Sequence, residues 1–174
     1  MPLSKIWPLL LAGCLAGLAL GAPVDTRAAL AATQVRSFDP VAFFTGRTEG
    51  AGTLKQIMSA SQATHVTGSG ALRPDGWFVL EQTVEIAREP TRNRQWRLRQ
   101  AAPGHFQGTI SDAIGPVTAT VAGATLQIRY AMDGGMRVEQ VLTLAADGRS
   151  AHNAMKIRKF GFVVATLDET IRRV

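Results

Sequence analysis

Beyond Thr45 the chain is built from short segments in which apolar and polar residues alternate, and this pattern leaves little room for anything but strands. Trp96 and Leu98 fall on one face while Gln95, Arg97 and Arg99 fall on the other. Phe106 and Ile110 oppose Gln107, Thr109 and Ser111; Val117, Ala119 and Val121 oppose Thr118 and Thr120. Leu126, Ile128 and Tyr130 oppose Thr125, Gln127 and Arg129, and Met155 and Ile157 oppose Lys156 and Arg158. A period of two sustained over successive segments marks strands with one buried face.

Turn signals separate the segments: Pro74-Asp75-Gly76, Pro103-Gly104, Gly115-Pro116, Gly123, Asp133-Gly134-Gly135, Asp147-Gly148 and Gly161. Segments at 53–59, 63–72, 77–88 and 93–101, with about five more, predict roughly eight to ten strands. Connections this short force neighbours to pair antiparallel, because a parallel crossover needs a dozen or more residues. The expected fold is all-β, an antiparallel up-and-down barrel, since closure removes the exposed edges. A two-sheet sandwich is the alternative that alternation does not exclude. Asp39-Pro40-Val41-Ala42-Phe43-Phe44 places a capping residue before a proline, which predicts a short N-terminal helical turn able to plug one end. A barrel of this size either fills its interior with side chains or encloses one ligand.

Before the strands, Lys5 precedes an apolar run from Ile6 to Leu20, the pattern of a signal peptide and too short for a spanning helix. Residues 1–31 are expected to be a signal peptide and residues 32–174 a single β-barrel domain. Two processing sites compete. Ala29-Leu30-Ala31 is a small-x-small site of a soluble periplasmic protein, whereas Leu11-Ala12-Gly13-Cys14 looks like a lipobox, in which Cys14 would be lipidated. Either way the protein is expected to be exported, to the periplasm or to a membrane anchor facing it. Cys14 is the single cysteine, so the domain has no internal disulfide and no thiolate metal site.

Charged residues make up 18% of the chain against 46% hydrophobic, which argues against disorder. The net charge is +6; setting aside Lys5, Asp25 and Arg27 leaves 17 basic and 12 acidic residues, or +5. A mild basic excess favours anionic surfaces. The basic residues read as scattered outward positions, apart from Arg92/Arg94, Lys156/Arg158/Lys159 and Arg172/Arg173. A solvated face is the simpler explanation for them than a membrane-surface role. No aromatic-rich motif accompanies them, so nucleic acid is not expected as a partner.

Catalytic chemistry has little local support. His65, His105 and His152 lie far apart, without metal-ligand spacing, and no nucleophile elbow, phosphate loop or dinucleotide fingerprint occurs. No catalytic residue, metal or cofactor is assigned. The glycines of 46–52 are expected to allow a bend or a close backbone approach where the barrel begins. More informative are polar residues on apolar faces. Gln82 shares the parity of Phe78, Leu80, Val84 and Ile86; Gln140 that of Val138, Leu142 and Leu144; Asp112 that of Phe106 and Ile110. An inward polar group must find a partner or cost a few kcal/mol. An internal network, or for Asp112 a turn role, is the ordinary outcome; in a ligand-binding barrel such groups orient a ligand's polar end. Tyr130 shares its face with Leu126 and Ile128, and its hydroxyl suits either a backbone partner or a headgroup. Gln82, Asp112, Tyr130 and Gln140 are therefore the candidate ligand-binding residues, while Arg129 points away.

Five segments together resemble a known family: Phe43-Phe44-Thr45-Gly46-Arg47-Thr48-Glu49-Gly50-Ala51-Gly52, Arg94-Gln95-Trp96-Arg97-Leu98, Ser111-Asp112-Ala113-Ile114-Gly115, Arg129-Tyr130 and Lys159-Phe160-Gly161-Phe162. In this order they are similar to the bacterial family called domain of unknown function 3833, over about Phe38 to Arg173. The resemblance implies an exported or lipoprotein-like envelope protein with a lipocalin-like barrel, and tilts its ligand toward lipids. One departure stands out. Where family members carry an acidic Asp-Asp-Trp-Met segment, this chain reads Val138-Glu139-Gln140-Val141-Leu142-Thr143-Leu144, so no role tied to that segment is carried over.

The function expected is that of an exported envelope protein binding or carrying an apolar, lipid-like ligand, such as a fatty acid or phospholipid, inside the barrel. Membrane association would run through lipidated Cys14 or the basic surface. The alternatives are a non-catalytic, membrane-tethered structural or interaction module and, behind it, a lipid-modifying enzyme using Asp112, Tyr130 or a histidine. A hollow barrel favours the first, a large exposed apolar patch the second, and two titratable groups within hydrogen-bond reach the third.

Overall fold

The computed structural model describes residues 36–174. The segment expected to be a signal peptide, with its two candidate processing sites and Cys14, lies outside the described residues. A five-residue helix, α1 (Pro40–Phe44), precedes ten strands: β1 (Gly46–Gln56), β2 (Gln62–Leu72), β3 (Phe78–Ile86), β4 (Arg92–Ala102), β5 (His105–Ile110), β6 (Ile114–Ala122), β7 (Thr125–Met132), β8 (Met136–Leu144), β9 (Ser150–Lys159) and β10 (Phe162–Arg173). Each strand pairs antiparallel with its neighbours in sequence, and β1 pairs with β10 from Thr48↔Arg173 to Gln56↔Ala165. The sheet is a closed barrel, not a sandwich, with up-and-down connectivity.

The alternation decides which side chains fill it. Leu126, Ile128 and Tyr130 of β7 are buried while Arg129 between them is exposed. Trp96, Phe106, Val117, Val138 and Leu142 join the same core from their own strands. Pro103-Gly104 makes the tight β4–β5 turn, with Gly104 at φ +72°, where a side chain would be strained.

One end of the barrel is stoppered. Asp39 accepts a hydrogen bond from the Ala42 amide at 3.0 Å and caps α1. Phe43 and Phe44 are buried, and Phe38 stacks against Phe43 at 5.2 Å and donates its amide to the Gly123 carbonyl in the β6–β7 turn. The helical turn thus plugs the end where β2–β3, β4–β5, β6–β7 and β8–β9 connect. At the other end the remaining five hairpins form an open mouth.

Two local expectations change. The glycine-rich segment at 46–52 is strand rather than bend, and β1 begins at Gly46, seven residues before the predicted start at 53. Its glycines serve close approach from within the strand: a Cβ on Gly52 would lie 2.3 Å from the Asp168 carbonyl oxygen of β10. Gly115-Pro116 lies inside β6, where the pairing with β7 shifts register between Ile114 and Thr118. Proline has no amide to donate, so the dipeptide produces a bulge, and the turn itself falls at Ser111–Ala113.

Candidate functional site

The barrel interior is divided by a belt of polar side chains at its waist. Above the belt, a cavity of about 440 Å³ opens toward the mouth. Below it, a smaller one of about 60 Å³ sits over the α1 plug. Arg94, Gln140, Asn153 and Glu169 line both. The walls are otherwise mostly apolar: Val84, Ile86, Met132, Met155, Ile157 and Leu167 above; Leu80, Trp96, Phe106, Leu126, Ile128 and Leu142 below.

The four sequence-predicted residues all reach this interior. Gln82 Oε1 accepts from Arg94 Nε at 2.9 Å and from Trp96 Nε1 at 2.7 Å. Gln140 donates from Nε2 to the Tyr130 hydroxyl at 3.1 Å. Tyr130 therefore has a side-chain partner and not the backbone partner that is commoner, and its ring meets Trp96 edge-on at 5.8 Å. Burial raises the Tyr130 hydroxyl above its ordinary pKa, with the Arg94 charge pulling the other way, so the group is a neutral phenol. Asp112 sits in the β5–β6 turn, half in solvent, and lines the upper cavity with its carboxylate 3.9 Å from Arg94 Nη1. Gln82 lines the lower cavity, Asp112 and Tyr130 the upper, Gln140 both.

Three belt members were missed. Arg94 is an inward cation whose side chain is only 21% exposed, set over the Trp96 ring at 5.6 Å. Its parity with Trp96 and Leu98 was visible, but a charge in a barrel interior runs against the usual distribution. Asn153 and Glu169 pair across β9 and β10, with Asn153 Nδ2 donating to Glu169 Oε2 at 3.0 Å. Glu169 is 4% exposed, and burial pushes its carboxyl above the usual carboxylate range, opposed by the Asn153 bond and the Arg94 charge. Glu169 Oε1, Asn153 Oδ1 and Thr64 Oγ1 are buried without a protein hydrogen-bond partner, and all three residues line the upper cavity. Buried polar atoms without partners are uncommon and mark places where a ligand or water is met.

The belt can therefore hold the oxygen-bearing end of a molecule. Arg94 offers guanidinium donors beyond the Nε already bonded to Gln82; the Tyr130 hydroxyl adds a donor, and the unpartnered oxygens of Asn153 and Glu169 face the same space. General acid–base chemistry finds less. His65 pairs with Glu85 at 3.4 Å and His152 with Asp168 at 2.9 Å, both at half-exposed positions outside the barrel, and His105 is exposed. No hydrogen bond joins Asp112 to Tyr130. Among the described residues no group of three or more His, Cys, Asp or Glu could hold a metal ion, and no helix there is long and apolar enough to cross a membrane.

Residues 18–173 match the model of the family described as "Protein of unknown function (DUF3833)". No curated protein matches the chain. Among solved structures, the S-type phycobiliprotein lyase CpeS from Guillardia theta is similar with a TM-score of 0.59, at 9% identity over 75% of this chain and 88% of that one. A protein of unknown function from the DUF3598 family, from Nostoc punctiforme PCC 73102, is similar with a TM-score of 0.54, at 12% identity over 80% of this chain and 50% of the other. At these identities the likeness is one of fold, a lipocalin-like barrel.

Proposed function

Because the chain belongs to the DUF3833 family, whose description assigns no activity, we propose from its site that it is an exported envelope protein that carries a lipid-like ligand in the mouth of its barrel. The observation that carries this reading is the upper cavity. Its volume of about 440 Å³ falls in the range of small-molecule sites, roughly 300–1,000 Å³. It runs from a mouth where Ile57 and Ile86 stand beside Glu89 and Arg92, past an apolar wall, down to Arg94, Tyr130, Gln140 and Glu169. A molecule with a hydrocarbon chain and one polar end fits that gradient, with the chain among Met132, Met155, Ile157 and Leu167 and the polar end at the belt. A fatty acid or the acyl chain of a phospholipid has this form. Export is supported by Lys5 and the apolar run that follows it, and by the alternative processing sites at Ala31 and Cys14.

Native mass spectrometry of the protein purified from its own envelope tests the proposal, followed by extraction and identification of whatever is released. A stoichiometric acyl-chain lipid is the expected result. A protein that is empty and also takes up no added fatty acid or phospholipid overturns it. The intact mass also reports whether Cys14 is acylated or removed.

A further inference from the structure

The mouth carries a second feature, continuous with the ligand site at Ile57. Ile57, Met58, Phe160, Phe162 and Val163 are exposed large hydrophobic residues on two adjacent hairpin tips, β1–β2 and β9–β10. The tips are neighbours because β1 pairs with β10, and the Ile57 amide donates to the Val164 carbonyl at 2.9 Å. Exposure is nearly complete: 100% for Met58, 84% for Phe160 and 76% for Phe162. Met58 and Phe160 also hold positive φ angles of 59° and 51°. Bulky side chains rarely adopt that conformation, and glycine would relieve it. Arg88 in the β3–β4 turn holds the same conformation, at φ 70°, so the angle belongs to the hairpin turns; what sets Met58 and Phe160 apart is that the side chains carried there are apolar and face solvent.

Cations surround these tips. Lys55, Arg137, Lys156 and Arg158 are exposed on the outer face of β1, β8 and β9, and Lys159 lies beside Phe160 with its ammonium 5.6 Å from the ring. None of the five makes a salt bridge among the described residues. Arg137 and Arg158 are directly opposed in the β8–β9 register, and like charges so placed cost stability unless an anion lies between them. An apolar tip above a collar of unpaired cations is the arrangement that enters the headgroup region of an anionic bilayer, with the rings among the acyl chains and the cations at the phosphates. Ile57 and Val164 also line the upper cavity, so the same contact would set the mouth against lipid.

We propose that the β1–β2 and β9–β10 tips, with Lys55, Arg137, Lys156, Arg158 and Lys159, dock the open end of the barrel on the surface of an anionic phospholipid membrane. This stands whether or not the barrel carries a ligand. The test uses the full chain with Cys14→Ser and a single new cysteine bearing an environment-sensitive fluorophore. The label is placed at Met58 or, as a control, at Leu72, which is exposed at the plugged end. Vesicles of phosphatidylcholine alone are compared with vesicles that also contain phosphatidylglycerol. A blue shift at position 58 with the anionic vesicles, absent at position 72 and weakened by salt, is expected. A chain that sediments with vesicles while the position 58 label stays in water overturns the proposal, since binding then comes from elsewhere.

A second variant separates docking from folding. Met58→Gly with Phe160→Gly relieves two positive-φ positions, so thermal stability should hold or rise, while vesicle binding through the tips should fall about tenfold or more with the loss of buried apolar surface. Unchanged transfer of a label at Ile57 in that background counts against the proposal. So does conversion of a dimer to a monomer by the variant with no change in vesicle binding, which would make the tips a protein contact.

Discussion

Gly50 lies diagonally across the β1–β10 seam from Glu169, whose register partner is Gly52, and so close that a Cβ on Gly50 would lie 2.5 Å from Glu169 Oε1. The glycine makes the space in which a buried carboxyl reaches the waist of the barrel. The obstructing atom is the far end of a flexible side chain, so Gly50→Ala can be accommodated by turning the carboxyl away, at the expense of its bond from Asn153. Gly70 offers the contrast. A Cβ there would meet the Phe44 carbonyl oxygen at 2.1 Å and Phe78 Cζ at 2.6 Å, and neither can yield without moving α1 or the core. Gly50→Ala should change stability by less than about 1 kcal/mol, because the lost glycine entropy in the unfolded chain offsets the disturbance. Gly70→Ala should cost about 1–3 kcal/mol by overpacking. Urea midpoints of the two variants check this, and equal costs would refute it.

Glu169 itself sets a pH dependence. Burial, the largest influence, raises its pKa in the folded state above that in the unfolded chain. A group with a raised folded pKa contributes its stability below the unfolded value and loses it as pH rises through the folded value. The wild-type protein should therefore lose stability as pH climbs from the ordinary carboxylate range toward neutrality. Asp147, whose pKa is lowered first by the Arg149 amide and then by Ser150, acts in the opposite sense and at lower pH. Glu169→Gln keeps an acceptor for Asn153 but has no proton to lose, so its stability profile should lack the fall and exceed wild type at neutral pH. Denaturant midpoints across the acidic-to-neutral range, run on both proteins, decide the matter; parallel profiles would show that Glu169 is not the titrating group.

The barrel was legible because its signal is redundant. Every strand repeats the same alternation, and an error at one end, such as the start of β1, leaves the closure intact. Gln82, Tyr130 and Gln140 were legible for the same reason: each stands out as polar within an apolar parity class. Arg94 sits in such a class too, beside Trp96 and Leu98, but a cation is expected outside, and only the enclosed partners Gln82 and Trp96 explain why it stays in. Asn153 and Glu169 needed more than parity. Their meeting depends on the register of β9 against β10, which a bulge between Val163 and Ala165 shifts, and on the small residues of β1 opposite them. The exposed tips were invisible for a different reason: alternation describes strands, and the orientation of Met58 and Phe160 is set in turns.

The Tyr130–Gln140 pair separates the cost of an orphaned group from the worth of a bond. Gln140 is buried, and its amide donates to the Tyr130 hydroxyl at 3.1 Å. Tyr130→Phe removes that acceptor and leaves a buried amide donor without its partner, so it should cost about 1–3 kcal/mol. Replacing both, as Tyr130→Phe with Gln140→Leu, removes the need along with the bond and should recover much of that loss. The double-mutant cycle, read by denaturant unfolding, would fail if the two losses simply added.

Arg94 decides what kind of polar end the belt accepts. Its Nε is committed to Gln82, and its remaining donors stand within the cavity near Tyr130 and Glu169, with Asp112 at 3.9 Å too far for a hydrogen bond. If those donors hold a carboxylate, a fluorescent fatty acid should bind wild type better than its methyl ester does. Arg94→Met should then weaken the acid by roughly 10- to 100-fold, the worth of a hydrogen bond to a charged group, while leaving the ester nearly unchanged. Arg94→Lys keeps the charge but not the planar fork that reaches Gln82 and the ligand together, so it should fall between the two. Fluorescence titration of the three proteins with both probes makes the comparison. Equal losses for acid and ester would assign Arg94 to the architecture of the belt, through Gln82 and the Trp96 ring, and not to recognition of the ligand's charge.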